Sequence, residues 1–434
     1  VVEETALTVE LVRALGEVSA AEAWKVADKD GNTPVHYLAK NTALTAELVR
    51  AVVDVAGAEA WKVAAKDGST PVHYLAQSTA LTAELVRAVG EVAGAEAWKV
   101  ANEKGSTPVH FLAQNTALTA ELVRAVGEVA GAEAWTVADK YGRTPVHYLA
   151  QSTALTVELV RAVGDVAGAE AWKVAAKYGS TPVHYLAQST ALTAELVRAV
   201  VDVTGAEAWK VAAKYGRTPV HYLAQNTALT AELVRAVVDV AWAEAWKVAD
   251  KYGSTSVHCL AQNTALTVEL VRALGEVAGA GAWTVANKDG CTPVHFVVEE
   301  TALTVELVRA LGEVAAAEAW KVANKDGRTP VHFITEDKAL TVELLQAAVE
   351  LVPLEVWTVA DAGDNIPFAL VTPQHKHLVS GPELVQALES MRADLWALRV
   401  GSGTLLDWLR NHQVRPLGCE EVHLWAQQHG KLRP

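Results

Sequence analysis

Apolar side chains fall at Leu44, Leu48, Val52 and Val55, with Val49 and Val53 beside them, and Glu47 and Arg50 lie between. The spacing predicts a helix from about Ala46 to Val55, opened by Thr45 as an N-cap and with Glu47 in the first turn, where the helix dipole favours a carboxylate. The apolar face is too broad for an isolated helix in water, so it must be buried against neighbours. Upstream, Gly31-Asn32 marks a turn, Thr33 is placed to cap a helix, and Pro34 fits the first helical position, where no amide donor is required. A short helix from about Pro34 to Lys40 is expected, joined to the next by Asn41-Thr42-Ala43-Leu44. The good helix formers of Gly57-Ala58-Glu59-Ala60-Trp61-Lys62-Val63-Ala64 predict a short third helical turn.

This pattern repeats. The segment Thr-Pro-Val-His-Tyr-Leu-Ala, with small variations, recurs with its threonine at 33, 70, 107, 144, 181, 218, 255, 292 and 329, a constant step of 37 residues. Worn copies open at Ile366 and Thr404 and an incomplete copy precedes the first, giving about eleven units. Stacked at 8–10 Å, they would form a rod on the order of 100 Å long with nearest-neighbour energetics. The expected organisation is a tandem array over 1–360 and, over 361–434, degenerate repeats and a C-terminal cap. In that cap Glu420, Glu421, Gln427 and Gln428 would form a polar outside around Leu424 and Trp425. Residues 1–18 are identical to 297–314, so the chain starts in mid-repeat and reads as a fragment or a processed product. An uncapped apolar layer would then be covered either by further repeats or by another molecule, and self-association there could build an open filament.

The run Asp28-Lys29-Asp30-Gly31-Asn32-Thr33-Pro34-Val35-His36 resembles the turn and first helix of the ankyrin repeat, D-x-x-G-x-T-P-L-H. The resemblance implies paired antiparallel helices, protruding loops and a role in binding other proteins. Three features depart from that family: the step is 37 rather than the usual 33, Val stands before His in place of Leu, and a Trp occupies the loop. The expected fold class is therefore all-α, an ankyrin-like helical-hairpin repeat solenoid with protruding loops, and a generic helical-hairpin solenoid is the alternative.

Composition narrows the function. At 51% hydrophobic and 20% charged residues, the chain can bury a continuous core and is not a disordered polymer. A net charge of −14 argues against nucleic acid as partner, because phosphate binding needs clustered Lys and Arg. Cys259, Cys291 and Cys419 are scattered, which suggests neither a disulfide framework nor a zinc site and points to a reducing, cytoplasmic setting. No Asn sits in an N-x-[ST] acceptor, no apolar run approaches the roughly 18 residues of a membrane span, and no signal-peptide pattern follows Val1.

The conspicuous residues have structural readings. One His per layer, from His36 to His332, places imidazoles about 10 Å apart, too far to share a metal with ligand bonds of about 2 Å. The resemblance implies that this His ties turns together by hydrogen bonds. The phase-matched Trp24 to Trp357, and Trp396, are expected in the core, with Trp242 as an exposed extra. Glu47 and Arg50 are expected to pair at i,i+3 along a solvated face. His375-Lys376-His377 is a lone pair of histidines in a polar connector, and no nucleophile-elbow, P-loop, zinc-protease or dinucleotide motif is present.

The positions before the turn glycines vary most: Asp30, Asp67, Lys104, Tyr141, Tyr178, Tyr215, Tyr252, Asp289 and Asp326. Four consecutive tyrosines, with Arg143, Ser180, Arg217 and Ser254 just beyond the glycines, suit a binding patch, since exposed loops on a rigid scaffold carry function and tyrosine gives contact area at low rotamer cost. Tandem duplication of one Tyr-bearing unit is the competing account. The function expected is a non-enzymatic protein-interaction scaffold, without cofactor or metal, binding through loop tips and a concave helix face. Its protein-binding residues would be Tyr141, Tyr178, Tyr215, Tyr252, Arg143 and Arg217. The alternative is a structural subunit that self-assembles head-to-tail or laterally into filaments or tubes.

Overall fold

Thr33 opens the first helix of its repeat with extended backbone (φ −93°, ψ 168°), and Pro34 occupies the first turn of the helix Pro34–Lys40. Thr45 opens the second helix, Ala46–Ala56, its hydroxyl accepting the Leu48 amide at 3.2 Å. Gly57 ends that helix at φ 78°, and the expected third turn is a single 3-10 turn, Ala58–Trp61. The computed structural model describes residues 8–18, 21–370, 399–400 and 403–404, and the chain divides into two units, Val1–Pro219 and Val220–Pro434.

In the first unit the pattern recurs as Pro71–Gln77 with Ala83–Ala93, Pro108–Leu112 with Ala120–Ala130, Pro145–Gln151 with Val157–Ala167, and Pro182–Gln188 with Ala194–Thr204. First helices pack on first helices and second on second. The turn carrying Trp61 touches its own second helix and the next one, 83–93. This explains why Trp61, Trp98, Trp135, Trp172 and Trp209 are fully buried. Each indole fills the space between layers that a smaller loop residue would leave open. The second unit repeats the arrangement with Val268–Ala278, Pro293–Glu300, Val305–Val314, Pro330–Glu336 and Val342–Leu351. Pro367–Leu370 starts a further helix in phase with Ile366, which is buried.

The repeat histidines bind layer to layer. The Thr33 amide donates to His36 Nδ1 at 3.0 Å, which makes Nδ1 the lone-pair nitrogen and leaves the ring proton on Nε2. Nε2 then donates to the Ser69 carbonyl of the next layer, 3.1 Å away. His73 reaches Ser106 and His147 reaches Ser180 in the same way, and in the second unit His258 reaches Cys291 and His295 reaches Arg328. The rings of His36, His73, His110, His147, His258 and His295 also stand edge-on to an aromatic of the following first helix, as His147 does to Tyr185 with centroids 5.3 Å apart.

One expectation is corrected. Arg50 does not pair with Glu47 along its own helix; its Nη2 donates to Glu91 of the next layer at 3.1 Å. Arg87 pairs likewise with Glu128, Arg235 with Glu276 and Arg272 with Glu313. Arg124 and Arg161 face the shorter Asp165 and Asp202 at the same position and form no ion pair among the described residues. The helices pack closely enough that the neighbouring layer presents a carboxylate sooner than the same helix does.

Arg399–Val400 and Gly403–Thr404 form an antiparallel pair, so Thr404, expected to open a worn repeat, lies in a strand. His375, His377, Trp396, Cys419, the cap residues around Leu424 and Trp425, and the chain start lie outside the described residues. No helix among the described residues is long and apolar enough to cross a membrane.

Candidate protein-binding site at the loop tips

Between the Trp turn and the next first helix, the chain makes a tight hairpin. In the layer of Thr144, the Asp139 amide donates to the Arg143 carbonyl at 2.8 Å and the Gly142 amide to the Asp139 carbonyl at 2.9 Å. Gly142, at φ 74°, takes the left-handed conformation that the reversal requires, and a Cβ there would stand 2.9 Å from the Lys177 amide nitrogen. The residue before the glycine is thereby pushed outward, which is why Tyr141 is 58% exposed and Tyr178 60% exposed.

Successive tips are tied by their backbones. The Tyr141 carbonyl accepts the Lys177 amide at 2.9 Å, and the Tyr178 carbonyl accepts the Lys214 amide at 2.8 Å. The same link joins Asp30 to Lys66 and Asp67 to Glu103. The side chain before each glycine is thus held at a fixed register whatever its identity.

Around Tyr141 the tip is also braced from below. Asp139 is buried and accepts from the Tyr141 and Arg143 amides at 2.8 and 2.9 Å, from the Tyr148 hydroxyl at 2.7 Å, and from Arg143 Nε and Nη2 at 3.1 and 3.0 Å. Burial pushes the Asp139 carboxyl up, but the Tyr148 hydrogen bond, the two amides and the Arg143 charge outweigh it and hold the group below the ordinary carboxylate range. Burial, followed by that same hydrogen bond, raises the Tyr148 phenol. The Arg143 guanidinium lies over both Tyr141 and Tyr148, 5.0 and 4.5 Å from the ring centroids. Arg143 is therefore a brace of the tip, with its charge largely matched by Asp139.

The structure brings Tyr141, Arg143 and Tyr178 together around one cleft of about 240 Å³, completed by Ala176, Lys177, Ser180 and Tyr185. Tyr215, 45% exposed, is on the following tip of the same unit, where the Lys214 ammonium lies 5.5 Å from the Tyr178 ring and 5.6 Å from the Tyr215 ring. Arg217 follows Gly216 on that tip and gives its carbonyl to His184. Tyr252, 53% exposed, stands on a tip of the second unit and gives its carbonyl to the Lys288 amide at 2.9 Å. Sequence reasoning missed Lys177, Tyr148 and Tyr185. The signal was present, since the residue after each repeat histidine is aromatic in most layers, but its neighbourhood with the tips depends on the fold.

Elsewhere, among the described residues, no three His, Cys, Asp or Glu side chains are grouped to hold a metal ion. Trp242 is 58% exposed and takes φ 65°, ψ 157° at the helix end where Gly205 and Gly279 stand in the neighbouring layers.

Comparison with known proteins gives two findings. A family described as "Suprabasin, GxHH repeat" matches residues 131–285, although the chain contains no His-His pair. The ankyrin repeat domain of Bcl-3, described as a unique member of the IkappaB protein family, is similar to 57% of this chain over 99% of its own length, at 20% identity and a TM-score of 0.41. No curated protein matches. The geometry itself, with its threonine-capped first helices, paired helices and protruding hairpin tips repeated in phase, is an all-α helical-hairpin repeat solenoid with protruding loops.

Proposed function

We propose that the chain is a non-catalytic scaffold that binds a protein partner through its loop tips, with Tyr141, Tyr178, Tyr215 and Tyr252 as anchors and Arg143 and Arg217 beside them. The observation that carries this reading is the cleft between Tyr141 and Tyr178, where two half-exposed rings stand on backbones held rigidly in register. Tyrosines carried on a backbone already fixed have little rotamer entropy left to lose on contact, which supports a binding role. The first-helix face contributes through Tyr148 and Tyr185, which continue the aromatic surface inward from the tips.

Catalysis is a poorer fit. The repeat histidines, the residues best suited to proton transfer, are held between a threonine amide and a carbonyl of the next layer. The test is quantitative affinity enrichment from a lysate with the wild-type chain and with Tyr141, Tyr178, Tyr215 and Tyr252 all changed to Ala. Proteins retained by the first and lost by the second are expected. Identical sets would remove the tips from the function.

A further inference from the structure

The tips of the first unit from 139 to 217 carry Lys140, Arg143, Lys177, Lys214 and Arg217 against a single carboxylate, Asp139, which is buried and already paired. Earlier tips of the same unit mix signs, with Asp30 beside Lys29 and Glu103 beside Lys104. In a chain of net charge −14 this is a local reversal. Lys140 and Lys177 take part in no ion pair among the described residues, and Lys177 lines the cleft. The Ser180 hydroxyl and the Tyr141 and Tyr178 hydroxyls, also at the cleft, make no hydrogen bond among the described residues.

The spacing of the rings constrains what can lie along them. The Lys214 ammonium touches both Tyr178 and Tyr215, so these rings stand no more than about 11 Å apart, in keeping with a layer step of 8–10 Å. A polyproline II segment has three residues per turn and rises about 3.1 Å per residue, so it presents the same face every ~9.3 Å. A β-strand repeats its face about every 6.8 Å and falls out of phase by the second tip. An α-helix, about 10–12 Å across with its side chains, is too wide to sit between rings at this separation. A polyproline II chain also leaves its carbonyls unpaired, and these can accept from the Ser and Tyr hydroxyls along the row.

We infer that the row Tyr141, Tyr178 and Tyr215 binds an acidic protein segment in polyproline II conformation. Every third residue, proline or another compact apolar side chain, seats between successive tyrosines, and Asp or Glu at intervening positions faces Lys140, Lys177 and Lys214. This rests on the tip-binding function proposed above and adds the conformation and charge of the partner.

The experiment is selection of a displayed random peptide library, with inserts of about nine residues or three polyproline II turns, on the full chain, with counter-selection on a Tyr178→Ala chain shown to fold by its circular dichroism and melting. Labelled winners are then titrated by fluorescence anisotropy. The expected winners carry prolines at three-residue spacing with acidic residues between them, bind Tyr178→Ala about tenfold or more weakly, and weaken with Lys177→Gln and with added salt. Tyr178-dependent winners that are helical, or that lack the three-residue period and the acidic residues, overturn this occupant while leaving the tips as the binding site. If no peptide distinguishes the wild type from Tyr178→Ala, the tip-binding function falls together with it. Tyr178-dependent binding of a single-stranded oligouridylate, tighter than that of any selected peptide, assigns the row to nucleic acid and also overturns the inference.

Discussion

The carbonyl of Tyr141 accepts the amide of Lys177 across 2.9 Å, which joins one tip of the array to the next by backbone alone. The phenol rings therefore stand on a framework that does not depend on them. Tyr141→Ala and Tyr178→Ala are expected to change stability by no more than about 1 kcal/mol, the scale of exposed positions with a cation–π contact. Thermal melts check this. A loss several times larger would make the tyrosines structural members and remove the reason to treat them as a binding surface.

The repeat histidines give the fold a pH dependence of defined sign. Burial, which disfavours the charged ring, pushes His73, His147, His258 and His295 below the ordinary imidazole range to about 4, and the threonine amide that donates to Nδ1 in these layers leaves no lone pair there for a second proton. Above about pH 6.5 both folded and unfolded chains hold neutral imidazole and nothing is lost. Between about 6.5 and 4 the unfolded chain binds protons that the folded one refuses, so stability falls as the pH is lowered. Urea midpoints measured from pH 7.5 down to 5 should decrease steadily over a range in which ordinary carboxylates stay ionised. A flat profile would mean that these rings are not held neutral.

Trp135 separates packing from hydrogen bonding. Its ring is fully buried and its Nε1 has no hydrogen-bond partner among the described residues. Trp135→Ala should cost about 3–5 kcal/mol through the cavity it leaves. Trp135→Phe forfeits no hydrogen bond and should cost clearly less. Equal losses for the two variants in chemical denaturation would contradict a purely packing role.

Trp242 occupies a backbone conformation in which the equivalent residues Gly205 and Gly279 sit at φ 78° and 72°. A side chain there is strained by about 1–3 kcal/mol, partly offset by the greater flexibility of glycine in the unfolded chain. Trp242→Gly is expected to raise the melting temperature. A decrease would show that contacts of the indole outweigh the strain.

Much of the repeat is legible in the sequence, because its signals are local. Threonine followed by proline fixes the start of the first helix within one residue, Thr45 does the same for the second, and the constant step of 37 residues places every layer at once. The exposure of the tip tyrosines also followed from the turn glycine beside them.

Tertiary structure decided what those side chains meet. Arg50 finds Glu91 rather than Glu47, because packed second helices bring the next layer's glutamate within reach. Arg143, which the sequence shows only as a tip residue, also pairs with Asp139 and lies over Tyr141 and Tyr148. The cleft draws Tyr141 and Tyr185 from adjacent layers, residues that no local pattern relates. Capping, turn chemistry and helix periodicity act within a few residues and are written in the sequence, whereas the cleft is made by side chains about 37 residues apart, whose distances exist only once the layers have stacked.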